Sequence, residues 1–106
     1  METAAPIAES CGVDPQVDER LRERRNWGDE CPAQTAQQFL EDWRRSTVER
    51  EWSPASGDSS LDAGTRFVNA LDDLARSGAE RIVVVSHGGV TIDGLRNLVG
   101  DHRHLR

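Results

Sequence analysis

Ser86-His87-Gly88-Gly89 is the segment best equipped for chemistry, because it sets an imidazole beside two glycines. A histidine can stabilise a phosphoryl group, act as a base or ligate a metal. The glycines let a backbone approach a ligand closely. The bland alternative is a histidine capping the next helix, with glycines serving a tight turn. Glu23, in Leu21-Arg22-Glu23-Arg24-Arg25, is a carboxylate among arginines and a candidate proton donor. Such a run is more often a solvated face whose ion pairs contribute little.

Two further clusters carry weaker signals. Gly57-Asp58-Ser59-Ser60 could contact an anion, and helix capping explains it equally well. His102 and His104 have metal-ligand spacing but no third ligand nearby, and we assign no metal. Trp27, Trp43 and Trp52 read as packing residues. There is no Gly-x-Ser-x-Gly elbow, which argues against an esterase, and no phosphate-binding Gly-x-x-x-x-Gly-Lys-Ser/Thr loop.

The elements that must position these groups follow from periodicity. Arg81-Ile82-Val83-Val84-Val85 reads as a strand buried on both faces, the central strand of a parallel sheet at 82–86. His87 then sits at its carboxyl end, where open α/β sheets place ligands, against the anion-attracting start of the following helix. Helices are expected at 3–11, 32–50, 60–77 and 90–99, the second with capping-box spacing between Thr35 and Gln38. Apolar stripes follow helical spacing: Ala36, Phe39, Leu40, Trp43 and Thr47 in the second, and Leu61, Gly64, Phe67, Val68, Leu71, Leu74 and Ala75 in the third. In the last helix Thr91, Leu95, Leu98 and Val99 are expected to face inward. The fold class is therefore α/β, a single partial domain over 1–106. Its one strand needs neighbours that the chain does not visibly contain.

Bulk composition narrows the classes. The 106 residues are 36% hydrophobic and 30% charged, thin in apolar content for a self-sufficient α/β domain. A net charge of −6 argues against nucleic-acid partners, which call for a basic face. No apolar run reaches membrane-spanning length and no secretory signal is visible, so a cytoplasmic location is the expectation. Cys11 and Cys31 read as isolated packing thiols.

Taken together, the motifs resemble the histidine phosphatase superfamily, the clan of phosphoglycerate mutases and related phosphatases. Thr3 to Glu9 looks like the helix after that family's second strand, Leu21-Arg22-Glu23-Arg24 with Trp27-Gly28 like its acid-bearing loop, and Gly57-Asp58-Ser59 like its Gly-Glu-Ser segment with Asp for Glu. Val83-Val84-Val85-Ser86-His87-Gly88-Gly89 looks like its second-histidine motif. The resemblance implies a three-layer α/β/α phosphoglycerate mutase-like fold. It implies phosphomonoester hydrolysis or phosphoryl transfer through a phosphohistidine, on a small phosphorylated substrate and without metal or other cofactor.

By the same resemblance His87 would stabilise the transferring phosphoryl group, Glu23 would protonate the leaving oxygen, and Gly88 and Ser86 would bind phosphate. The family's nucleophilic histidine lies in an Arg-His-Gly motif, and this sequence has none; its one Arg-His pair, Arg103-His104, precedes Leu105. The expectation is a fragment of a histidine phosphatase, inactive alone and prone to self-association through its unpaired strand. The competing reading is a noncatalytic anion-binding or interaction module completed by a partner chain.

Overall fold

A computed structural model describes residues 3–24, 35–54 and 57–100. Among them four helices form where the periodicity places them, the first three within the expected bounds and the last beginning two residues earlier than expected. The first, α1, spans Ala4–Cys11 and closes on Gly12, whose φ of 70° is the left-handed turn that glycine adopts without strain. A single 3-10 turn at Glu19–Leu21 follows, started by Asp18, whose side chain accepts the Arg20 N–H.

Helix α2 spans Ala36–Val48 and starts with both halves of the capping box in place, Thr35 to the Gln38 amide and Gln38 back to the Thr35 amide. Helix α3, Ser60–Ala75, is capped by the Ser59 hydroxyl on the Asp62 amide. Helix α4 spans Gly88–Val99, and its N-cap residue His87 makes no side-chain capping bond.

The expected α/β architecture is not what forms. Among the described residues there is no strand, and the chain is helical with irregular connections. The segment 82–86, read as a central strand, is the connection between α3 and α4. A strand exists only through its ladder, and the Ile82–Val85 backbone makes no hydrogen bond among the described residues. Its side chains are correspondingly uncovered, with Ile82 41% and Val83 67% exposed. The β-branched run is sound local evidence for extended chain, but propensity yields where no neighbour supplies the other half of the ladder.

With no sheet among the described residues, α3 and α4 cover one another and form the main packing contact between the described elements. The core is Ala63, Phe67 and Val90, with Leu21 and Leu71 packed against it. This changes the inward face of α4. Val90, Asp93, Gly94 and Arg96 are buried, while Leu95, Leu98 and Val99, expected inward, are exposed. Close approach of the two helices depends on glycines. A methyl on Gly64 would lie 2.5 Å from the Asp93 carbonyl oxygen, and one on Gly94 2.5 Å from Phe67 Cδ1. In α3 the expected Gly64, Phe67 and Leu71 do face the core, whereas Leu61 is partly exposed. No helix among the described residues is long and apolar enough to cross a membrane.

Candidate functional site

The acid-loop residues and the His87-Gly88-Gly89 turn lie more than sixty positions apart in sequence, and the fold joins them. Ser86 Oγ donates to the Leu21 carbonyl at 2.6 Å. Gly89 N–H donates to Glu23 Oε2 at 3.1 Å, and the other carboxylate oxygen accepts the Arg24 N–H at 3.0 Å. Glu23 thus does for α4 what His87 does not: it satisfies a first-turn amide and opposes the positive end of the helix dipole.

The fit is close. A methyl on Gly89 would fall 2.7 Å from Glu23 Oε1 and 2.7 Å from Trp43 Cζ2, whereas one on Gly88 would meet nothing within 4 Å among the described residues. The turn is therefore walled on the Gly89 side by Glu23 and the Trp43 ring, and open at Gly88. Phe39 stacks on Trp43, with centroids 5.9 Å apart. His87 is exposed beside the open side.

The acid loop is held from beneath by Arg66 and Asp58. Arg66 Nη1 donates to the carbonyls of Arg20 and Arg22, and its Nε donates to Asp58 Oδ2. Asp58 returns the contact, its N–H donating to the Arg24 carbonyl and its carboxylate accepting from Arg22 Nη2 at 3.1 Å. Asp58 of the Gly57-Asp58-Ser59 segment is thus a clamp on the loop, and Ser59 is a helix cap, as capping chemistry alone would have it.

Deeper lies a charged cluster that sequence reasoning missed. Arg24, 3% exposed, donates from Nη1 to Asp93 Oδ1 at 3.0 Å and from Nη2 to Thr47 Oγ1 at 2.6 Å, and its guanidinium lies 3.9 Å over the Trp43 ring. Asp93, 1% exposed, also accepts from Ser60 Oγ at 2.6 Å, while Arg50 Nη2 donates to its carbonyl. Arg96 Nη1 donates to the Thr47 carbonyl. Burial pushes the Asp93 carboxyl above its ordinary value, with the Ser60 hydroxyl and the Arg24 and Arg50 charges pulling it back. Burial likewise lowers Arg24, against the pull of Asp93 and Glu23. Among the described residues Asp93 Oδ2 and Arg24 Nε are buried without a hydrogen-bond partner. One signal could have found this cluster: Val90, Asp93, Gly94 and Asn97 share a helical face by spacing, and a charge on such a face asks for a buried partner.

Of the sequence-expected site residues, the structure brings together Glu23, Ser86, Gly88 and Gly89, with His87 at the helix start. Ser86 spends its hydroxyl proton on Leu21, so in this arrangement it secures the loop. Arg25, Trp27, Gly28, Cys31, His102 and His104 lie outside the described residues. Cys11 is an exposed free thiol. No curated protein and no solved structure matches the chain. The profile of the histidine phosphatase superfamily (branch 1) matches residues 1–104, nearly the whole length, and the chain belongs to that superfamily, whose members handle phosphoryl groups as phosphatases and mutases.

Proposed function

We propose that this chain carries the charge-stabilising and proton-donating half of a phosphomonoester site. His87 hydrogen-bonds the phosphoryl oxygens and offsets their charge as the P–O bond breaks. Gly88 lends a backbone N–H at the open start of α4. Glu23 protonates the leaving oxygen; each carboxyl oxygen accepts one N–H and keeps a lone pair for a proton. The observation that carries this reading is the Gly89–Glu23 bond, which holds the acid loop against the histidine turn. Ser86 contributes by fixing that loop.

The nucleophilic half is a separate matter. The 106 residues hold no Arg-His-Gly, so the chain by itself should bind phosphate without turning over phosphomonoesters. The test is a titration of the labelled chain with inorganic phosphate, followed on the His87 ring and Gly88 amide resonances, beside an aryl phosphate assay. Saturable shifts abolished in H87A, with no turnover, support the reading. Indifference of both resonances would discard it. Turnover above the H87A control would mean the chain holds a nucleophile of its own.

A further inference from the structure

Glu23 and Arg24 are consecutive, and they dock on α4 one turn apart. Glu23 takes the Gly89 amide, and Arg24 takes the carboxylate of Asp93, four residues on. Asp93 is itself fixed from two directions, by the Ser60 hydroxyl at the start of α3 and by Arg50 on its carbonyl. Arg24 also reaches α2, through Thr47 Oγ1, the Trp43 carbonyl and the Trp43 ring. The buried pair therefore stands where the acid loop, α2, α3 and α4 converge.

We propose that Asp93 is a positioning residue for Glu23, acting through Arg24 to set the acid loop on α4 in the register that places the Glu23 carboxylate on the Gly89 amide. This rests on reading Glu23 as the proton donor. The argument is directional. A buried ion pair is weak evidence for stability, because an apolar pair of similar volume often holds a fold as well. What the apolar pair lacks is a fixed point of attachment. Arg24 Nη1 and Ser60 Oγ meet on a single oxygen, Asp93 Oδ1, and that meeting point sets how far along α4 residue 24 can sit. Residue 23 is then placed one turn nearer the helix start. Of the loop's other clamps, Arg66 on the Arg20 and Arg22 carbonyls and Asp58 on the Arg24 carbonyl tie it to α3 and the turn before it, and Ser86 on the Leu21 carbonyl ties it to the connection before α4; none of these contacts is to a residue of α4 itself.

The test separates positioning from packing. In the full chain, R24M/D93L replaces the pair with apolar side chains of comparable size. Hydrogen exchange at the Gly89 amide reads the contact with Glu23, and exchange at Ala70 in α3 reads the fold. We expect Ala70 protection to persist while Gly89 exchanges roughly tenfold faster or more, as in E23A, the loss appropriate to a hydrogen bond on a charged acceptor. If Gly89 exchange is unchanged in the double variant but rises in E23A, Asp93 has no positioning role. Should the double variant not fold, S60A removes one of the two donors on Asp93 Oδ1 without burying a lone charge. It should then accelerate Gly89 exchange by about two- to fivefold against an unchanged Ala70, and no acceleration overturns the proposal. None of these readouts needs turnover. Failure of the phosphate reading appears instead as His87 resonances indifferent to phosphate, which leaves the Gly89 result standing.

Discussion

Glu23 and Gly89 meet at 3.1 Å, the carboxylate accepting a first-turn amide of α4. The neighbouring glycines of that turn should therefore respond oppositely to a methyl group. G89A drives a Cβ into Glu23 Oε1 and the Trp43 ring, both at 2.7 Å, and should cost about 1–3 kcal/mol in urea unfolding while dislodging the carboxylate. G88A meets no described atom within 4 Å and should be neutral or stabilising by about 0.4–1 kcal/mol. Equal effects of the two substitutions would contradict the geometry.

The crossing of α3 over α4 makes a second contrast. Glycine inside a helix costs about 1 kcal/mol against alanine, so Gly64 and Gly94 should be poor choices in isolation. They are retained by contact. At Gly64 the obstacles are the Asp93 backbone oxygen and the Asn97 side chain; at Gly94 the nearest obstacle is the Phe67 ring edge. Backbone cannot yield as a ring can. G64A should destabilise by about 2–3 kcal/mol and G94A by about 1 kcal/mol, measured as shifts in denaturation midpoint at constant slope. A stabilising G64A would mean the helices do not approach this closely.

What could be read from the sequence was local. Thr35 and Gln38 announced a capping box, and Gly57-Asp58-Ser59-Ser60 a helix cap, because each depends on atoms a few residues apart. The motif order around Glu23 and His87 led to the superfamily that the profile match bears out. The sheet could not be settled this way. Val83-Val84-Val85 describes one side of a ladder, and whether a strand forms depends on residues that must pair with it. The inward face of α4 went wrong for the same reason. Leu95, Leu98 and Val99 suit a sheet surface, whereas packing on α3 selects Val90 and Gly94. The Arg24–Asp93 pairing was hidden because its members stand 69 residues apart: the face that Asp93 shares with Val90 and Gly94 calls for a buried partner without saying which residue supplies it.

Asp93 should leave a mark on stability against pH. Its carboxyl is pushed above the ordinary 3.8 by burial, so the folded chain keeps this proton where the unfolded chain has released it. Folded protein then binds more protons, and this group's contribution to stability falls as pH rises from about 4 through the raised value. Asp18 works in the other direction, being held below 3.8 first by its side-chain bond from Arg20. The comparison that isolates Asp93 is wild type against D93N. D93N carries a neutral side chain of the same shape that does not titrate, so wild type should lose stability relative to D93N as pH rises across this window, read from urea unfolding at each pH. Wild type gaining on D93N as pH rises would mean Asp93 is held below its ordinary value when folded.

The uncovered segment between α3 and α4 carries the last expectation. Ile82, Val83 and Val84 are exposed, and the backbone of 82–85 has no partner among the described residues. An apolar run with open backbone groups is a template for pairing, and a second copy of the chain offers the same segment. Antiparallel pairing centred on Val83 sets Arg81 across from Val85 and Glu80 across from Ser86, so no like charges face each other. We therefore expect the weight-average mass in sedimentation equilibrium to rise with concentration. V83K should hold the chain monomeric, since symmetry would place two lysines directly opposite at the centre of the pair. The helical signal should be unaffected, because Val83 is 67% exposed and contributes little to the core. A wild-type chain that stays monomeric at every concentration would rule out this pairing, and V83K would then change nothing in its mass.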